Sequence, residues 1–91
     1  MKQVKTRSFN KDFRGLPGHV QEKAKKAFQL FKQDPQHPSL QIEKLEGTQG
    51  IWHGWIDYQY RWTFEYRTDP ETGETICIHR RIGKHDILRK P

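Results

Sequence analysis

Hydrophobic and polar positions alternate without a break in the segment Tyr60–Arg67. Aromatic side chains occupy every second position, and charged or hydroxyl side chains occupy the positions between them. Such alternation is typical of a β-strand with one face in the core and the other in water. The pattern therefore predicts a central strand with Trp62, Phe64 and Tyr66 in the core. Arg61 is predicted to lie on the wet face, where a guanidinium group can meet phosphate.

The N-terminal half contains a helical pattern, with apolar residues every three or four positions from Gly18 to about Lys32. The predicted apolar stripe consists of Val20, Ala24, Ala27, Phe28 and Phe31. Before it, alternation predicts a first strand over Lys2–Phe9. Asn10 is the predicted N-cap of a short helix over Lys11–Arg14, which ends at Gly15.

Two further strands are predicted in the C-terminal half, over Ile51–Asp57 and Thr75–Ile82. The second of these has Ile76, Ile78 and Ile82 on one face. The connection Gln36–Gly50 begins between two prolines, so we expect it to be extended and without regular structure. A strand, then helices, then a three-strand meander predicts an α+β fold, a twisted sheet with helices on one face.

The length of 91 residues leaves room for one small domain, and we expect a single domain over residues 1–91. Apolar residues make up only 32% of the chain and the mean hydropathy is -1.09, so aromatic side chains must supply much of the core. The one cysteine, Cys77, excludes an internal disulfide. We interpret it as an inert strand residue.

The formal net charge of +6 favours nucleic acid, an anionic membrane surface or an acidic protein as a partner. Aromatic residues interleaved with the basic ones favour nucleic acid, because bases stack on aromatic rings. No apolar run has the length of a membrane helix, and the first residues lack the apolar stretch of a secretion signal. We expect a cytoplasmic protein that does not bind membranes.

Arg61 and His85 are the residues best suited to chemistry. Gly83 lets the chain turn away after the last strand, which places His85 at the strand end beside Lys84 and Arg81. A histidine titrates near neutrality and can serve as a general acid or base, while guanidinium holds charge that develops on phosphorus. Such a pair fits RNA self-cleavage without a metal. The alternative for His85 is a capping or surface role.

Metal and cofactor sites are not indicated. The chain has five histidines, but no two of them have the i,i+4 spacing with a nearby acid that metal-binding helices use. It also has no phosphate-binding glycine-rich loop. We therefore expect neither a metal nor a cofactor.

A set of short motifs extends this interpretation. They are a Leu-Pro pair before a Lys-rich helix, two proline motifs after it, a Lys-Leu-Glu-Gly loop, a Tyr-Arg pair and a late Ile-Gly-Lys-His-Asp segment. Their positions are Leu16-Pro17, Asp34-Pro35, His37–Leu40, Lys44–Gly47, Tyr60-Arg61 and Ile82–Asp86. In this order and spacing, almost the whole chain resembles the RelE/ParE toxin superfamily, in particular the mRNA interferase branch with RelE, YafQ and HigB.

The resemblance implies a βααβββ fold: one twisted, mainly antiparallel sheet with two N-terminal helices packed on one face. It also implies the toxin of a type II toxin–antitoxin system, a metal-independent endoribonuclease that cleaves mRNA on the ribosome through attack of a 2′-hydroxyl on the scissile phosphate. The implied partners are mRNA, the ribosome and an acidic antitoxin, which together with the toxin forms a hetero-oligomer.

By position, Arg61 matches the strand arginine that stabilises the scissile phosphate in this superfamily. His85 occupies the place of the catalytic histidine of YafQ-like members. Lys44 matches the basic residue of the Lys-Leu-x-Gly loop, and we expect it to hold phosphates together with Arg81 and Lys84.

The chain departs from the family pattern at the C-terminal aromatic residue. RelE-like members have a tyrosine where this chain has Pro91, and YafQ-like members have an aromatic at or near Leu88. Tyr58, Trp52 or Trp55 could supply the ring instead. Two other functions stay open: a ParE-like inhibitor of DNA gyrase without catalysis, against which His85 argues, and a catalytically silent RNA-binding relative.

Overall fold

A computed structural model describes residues 1–91 as two helices and a five-stranded sheet. Two short 3₁₀ turns complete it, a first one at Pro38–Leu40 and a C-terminal one at His85–Arg89. In chain order the helices and strands are β1 Lys2–Lys5, α1 Arg7–Arg14, α2 Gly18–Gln33, β2 Glu43–Lys44, β3 Ile51–Trp55, β4 Tyr60–Thr68 and β5 Thr75–Lys84. No helix is long and apolar enough to span a membrane.

The strand order in the sheet is β1-β5-β4-β3-β2. Strand β1 pairs with β5 in parallel, and every other pair is antiparallel. The predicted α+β class and the mainly antiparallel sheet are therefore confirmed. The short β2 is an addition, because the prediction of an unstructured connection over Gln36–Gly50 was wrong. Two of its residues pair with β3, and the first 3₁₀ turn precedes them.

The first helix begins earlier than predicted. Thr6, not Asn10, is the N-cap: its side-chain oxygen accepts a hydrogen bond from the N–H of Phe9 at 3.0 Å. The same hydroxyl donates to the carbonyl oxygen of Arg80 at 2.8 Å, which ties the helix start to β5. The predicted strand over Lys2–Phe9 therefore ends at Lys5.

The core lies between the two helices and one face of the sheet. The stripe predicted on α2 is confirmed, since Val20, Ala24, Ala27 and Phe31 are buried and Phe28 packs against the core. The core cluster consists of Phe9, Ala24, Ala27, Phe31, Leu40, Trp62, Phe64, Cys77 and Ile82. Aromatic rings contact one another edge to face, as Phe31 does with Trp62 and Phe64 at centroid distances of 5.7 and 5.1 Å.

A β-bulge shifts the face on which the residues of β5 lie. The strand register shifts between Thr63 and Phe64. Thr63 pairs with Arg81 and Phe64 pairs with His79, so Arg80 has no partner in β4. Cys77, His79 and Ile82 consequently point into the core. The prediction that Ile76, Ile78 and Ile82 share one face was wrong, because the extra residue reverses the alternation.

The second face of β4 is not wet, contrary to the prediction. Arg61, Thr63 and Glu65 are only 6%, 0% and 8% exposed. The segment 85–91 crosses this face: Ile87 is buried there, and the main-chain oxygen of Pro91 accepts a hydrogen bond from the Thr63 hydroxyl at 3.1 Å. Alternation identified which residues share this face, but not what covers it.

Tyr66 is 40% exposed, so its prediction as a core residue was also wrong. Helix α2 ends at Gln33 and does not extend over this end of β4. The ring still contacts Phe64 and Trp52 edge to face, at centroid distances of 5.6 and 6.2 Å.

Gly54 is a packing constraint that can be tested. A Cβ on Gly54 would overlap the Trp62 ring and the Ile42 side chain. We expect Gly54→Ala to lower the free energy of unfolding by about 1–3 kcal/mol, as overpacked cores do, measured by urea denaturation. Gly18→Ala is the matched control, because nothing lies within 4 Å of its Cβ position and we expect no loss. Equal stability of the two variants would contradict this prediction.

His79 makes stability depend on pH. Burial, together with Lys5 and Lys32, lowers its pKa from 6.5 to about 4. The unfolded chain therefore binds more protons than the folded one between these values, and stability falls as the pH drops from 6.5 to 4, by about 3 kcal/mol in total.

The measurement is a series of urea unfolding curves across this range. His79→Gln removes the titrating group, so its free energy of unfolding should depend less on pH. Parallel pH profiles for the variant and the wild type would show that His79 is not responsible.

Candidate active site

The pairing of β2, β3 and β4 collects polar and aromatic residues on the second face of the sheet. Glu43 lies opposite His53, His53 opposite Thr63, and Trp55 opposite Arg61. Side chains opposite each other in antiparallel strands lie on the same face. We call the group of His53, Arg61 and His85 the candidate cluster.

Arg61 is held in one orientation. Its guanidinium carbon lies 4.0 Å from the centroid of the Trp55 ring, and Nη1 donates hydrogen bonds to the carbonyl oxygens of Asp57 and Tyr60. Burial lowers the pKa of Arg61, and Asp57 partly offsets this. The Nε and Nη2 groups have no acceptor in the protein and are not fully buried. An oriented guanidinium with two free donors is suited to bind a phosphate in a bidentate manner.

The turn between β3 and β4 supports Arg61. The Asp57 carboxylate accepts hydrogen bonds from the N–H groups of Gln59 and Tyr60, both at 2.9 Å, and from the Lys23 ammonium at 3.2 Å. Burial alone would raise the pKa of Asp57, but the hydrogen bonds from Tyr60, Gln59 and Lys23 outweigh it and the pKa is lowered. The turn is thus fixed to α2, and the carbonyl of Asp57 is fixed against Arg61.

His53 is partly buried, with 14% of its side chain exposed. Its Nε2 lies 3.9 Å from a carboxylate oxygen of Glu43, and its Nδ1 is buried without a hydrogen-bond partner. Burial lowers the pKa of His53; Glu43 opposes this, and the charges of Arg61 and His85 add to it. The ring is therefore neutral at neutral pH and able to accept a proton.

His85 is exposed and is the first residue of the C-terminal 3₁₀ turn. The charges of His85 and Arg61 both contribute to lowering the pKa of His53. The segment that begins at His85 crosses the sheet face on which Arg61 and His53 lie. An accepting histidine, an exposed histidine and an oriented cation together have the parts that acid–base chemistry at a phosphate requires.

The three predicted phosphate-binding residues lie apart from this cluster. Lys44 is opposite Trp52 and Lys84 is opposite Tyr60, so strand alternation puts both on the other face of the sheet. The Lys44 ammonium lies 5.9 Å from the Trp52 ring centroid.

Arg81 is engaged with α1. Its guanidinium donates to both carboxylate oxygens of Asp12, at 2.8 and 3.2 Å, and these hydrogen bonds raise the pKa of Arg81. One of the same oxygens accepts a hydrogen bond from the N–H of Ile82 at 3.2 Å, so the carboxylate pairs with β5 as well as with Arg81.

Of the three aromatic residues considered for the missing C-terminal ring, one lies in the cluster. Trp55 stacks on Arg61. Trp52 faces the opposite side of the sheet beside Tyr66, and Tyr58 is 75% exposed in the β3–β4 turn. Trp55 is therefore the only one of these three residues whose ring contacts the Arg61 guanidinium.

Cys77 lies outside the cluster. It is fully buried, and burial raises the pKa of its thiol to about 12, so the thiolate is not accessible. No group of three or more His, Cys, Asp or Glu side chains is arranged to hold a metal ion.

The sequence did not predict that Glu43 and His53 lie side by side in this candidate site. From the sequence alone, His53 is a strand position that could line the same groove as His85. A signal was present in the alternation of the two strands. His53 and Trp55 are two positions apart in β3, as Arg61 and Thr63 are in β4. It could be used only once the pairing of β3 with β4 was known.

Comparison with solved structures identifies proteins that share this fold. No family model matches the chain, and no curated protein matches it. Among solved structures, it is similar to a YoeB/ParE toxin from Agrobacterium tumefaciens, with a TM-score of 0.73 and 20% identity over 93% of this chain and 99% of that chain. YafQ from E. coli strain BL21(DE3) matches with a TM-score of 0.73 and 15% identity, over 96% of both chains.

A RelB–RelE antitoxin–toxin complex from Methanococcus jannaschii matches with a TM-score of 0.68 and 19% identity, over 96% of this chain and 95% of that chain. These TM-scores, each over more than nine-tenths of both chains, establish the shared fold. The expected RelE/ParE-like fold is thereby confirmed.

The contact between Trp55 and Arg61 can be measured by a double-mutant cycle with Trp55→Leu and Arg61→Gln. A cation over a tryptophan ring at a largely desolvated site contributes about 1–2 kcal/mol. We expect a coupling free energy of this size between the two substitutions, obtained from urea unfolding of the four proteins. A cycle with Arg67→Gln in place of Arg61→Gln is the control, since Arg67 is paired with Glu65. Strict additivity in the Arg61 cycle would contradict the contact.

Proposed function

We propose that this protein is the toxin of a type II toxin–antitoxin system and acts as a metal-independent endoribonuclease that cleaves mRNA on the ribosome. One observation carries the proposal. On a fold shared with YoeB, RelE and YafQ toxins, the oriented guanidinium of Arg61 lies on the same sheet face as His53, and the segment that begins at His85 crosses that face. A protein that only bound a partner would need no titrating histidine beside an oriented, largely desolvated guanidinium.

In the proposed reaction, the 2′-hydroxyl oxygen forms a bond to the adjacent phosphorus and the bond from phosphorus to the 5′-oxygen breaks. Neutral His53 takes the proton of the 2′-hydroxyl, and His85 gives a proton to the departing 5′-oxygen. Arg61 stabilises the negative charge that develops on the phosphoryl oxygens. The products are a 2′,3′-cyclic phosphate and a 5′-hydroxyl. Each proton transfer is assigned to a side chain, so no step requires a metal.

Two groups outside the cluster have supporting roles in this proposal. Lys44 lies on the edge strand β2 and Lys84 is the last residue of β5, and in this proposal both hold phosphates of the message outside the cluster. Arg81 is fixed by Asp12 and contributes its charge from that position.

An acidic antitoxin is the proposed protein partner. The net charge of +6 leaves the free toxin with a strongly positive surface, which an acidic chain would neutralise. Solved structures pair similar chains with antitoxins, as in the RelB–RelE and DinJ–YafQ complexes. The resulting assembly is a hetero-oligomer.

The proposal is tested in a cell-free translation reaction with purified protein, where message ends are mapped by primer extension. We expect the wild type to cut the message and leave 5′-hydroxyl ends. Arg61→Gln should lower the cleavage rate by about 10²–10³-fold, and His53→Gln or His85→Gln by about 10²–10⁴-fold. Lys25→Gln is the matched control, since it removes one positive charge from the exposed side of α2.

Two results would overturn the proposal. Intact message in the presence of wild-type protein that blocks supercoiling by DNA gyrase would indicate a ParE-like inhibitor. Intact message together with RNA binding that His85→Gln leaves unchanged would indicate a catalytically silent relative.

A further inference from the structure

A basic groove lies on the same sheet face as the candidate cluster, beyond the point where Pro91 crosses β4. Its volume is about 440 Å³. The residues that matter for the argument are Ser8, Ile51, Arg80, Arg81 and Lys90. The groove is open to solvent, and no carboxylate side chain lines it.

Arg80 is aimed at this groove by the β-bulge. As the extra residue in β5, it points to the second face and donates from Nη1 to a carboxylate oxygen of Glu65. Its Nε donates to the main-chain oxygen of Pro91 at 3.1 Å. Nη2 has no acceptor in the protein. The other Glu65 oxygen accepts from Arg67 at 2.6 Å, so one carboxylate holds two guanidinium groups in place.

Two further cations, Arg81 and Lys90, line the groove together with Arg80. Arg81 is held by Asp12 and also donates to the carbonyl oxygen of Lys90 at 3.3 Å. The Lys90 ammonium and the Ser8 hydroxyl make no hydrogen bond within the protein. Among the side chains of this region, positive groups outnumber carboxylates by two: they are Arg67, Arg80, Arg81 and Lys90, against Glu65 and Asp12.

The residues that line the groove indicate which class of ligand it can bind. Free donors and net positive charge in an open groove fit an anion, and Ile51 is the single large apolar side chain, so no ring is present on which a base could stack. Glu65, which anchors Arg80, is four residues from Arg61 along β4, a distance of ~13 Å in an extended strand. A few nucleotides of backbone span that distance.

We propose that the basic groove binds phosphates of single-stranded RNA that flank the cleavage position, through Arg80, Lys90 and Ser8. This inference rests on the proposed function, because it takes the RNA to be the strand whose scissile phosphate lies at Arg61. The groove contacts the backbone and does not read the bases, so it adds affinity without sequence preference.

The test uses a short single-stranded RNA with 2′-O-methyl riboses, which cannot be cleaved, and measures its binding by fluorescence anisotropy over a range of salt concentrations. We expect Lys90→Gln and Arg80→Gln each to weaken binding about fivefold. Each should also reduce the slope of log affinity against log salt by about 0.7, the value for one lost phosphate contact on a single strand. Lys25→Gln is again the control of equal charge.

Structural damage is separable from loss of a contact. Lys90 makes no side-chain hydrogen bond, so Lys90→Gln should unfold at the wild-type temperature and still bind weakly. The inference is overturned by wild-type affinity and salt slope in Lys90→Gln and Arg80→Gln, or by no binding of the RNA to the wild type at low salt.

The two proposals fail in different ways. If the wild type leaves message intact but Lys90→Gln weakens RNA binding, the nuclease is wrong and the groove stands. If the wild type cuts message and the groove variants bind and cut as it does, the groove is wrong and the nuclease stands.

Discussion

Burial of the Arg61 guanidinium is the constraint on which the rest of the site depends. A cation taken out of water must be compensated, and here the compensation comes from the Trp55 ring and from the carbonyls of Asp57 and Tyr60. These partners fix the side chain but use only one of its terminal nitrogens. Its remaining donors therefore keep one direction before any ligand arrives, and a ligand need not organise them. The charge acts on His53 as well, where it favours the neutral ring that can accept a proton.

The second face of the sheet shows how charged groups can be packed in a small domain. The three buried polar residues of β4 have different partners. Arg61 stacks on an aromatic ring, Thr63 donates to a main-chain oxygen, and Glu65 accepts from two guanidinium groups. The cations that hold Glu65 are themselves only partly covered. The same contacts that satisfy the buried Glu65 carboxylate thus leave positive charge at the protein surface.

Much of the fold could be predicted from sequence because it rests on local periodicity. The stripe of α2 and the alternation of β4 both identified groups of residues that share a face, and the structure confirms those groups. What covers a face is not local information. The segment 85–91 buries Arg61 and Thr63 from a distance in sequence, and the bulge at Arg80 reverses the pattern of β5. For the same reason the sequence could single out Arg61 and His85, but the position of His53 opposite Thr63 depends on the register of β3.

The parallel pairing of β1 with β5 has a consequence for how the protein comes into being. Lys2 lies opposite Ile76 and Lys5 opposite His79, so β1 pairs with the strand that comes last in chain order. Long-range pairing of this kind carries a high cost in loop entropy and forms late. During synthesis, β1 must wait until β5 has been made, and Arg80 and Arg81 come with it. Until then the five-stranded sheet is incomplete, so the groove that Arg80 and Arg81 line forms only after β5 has been made.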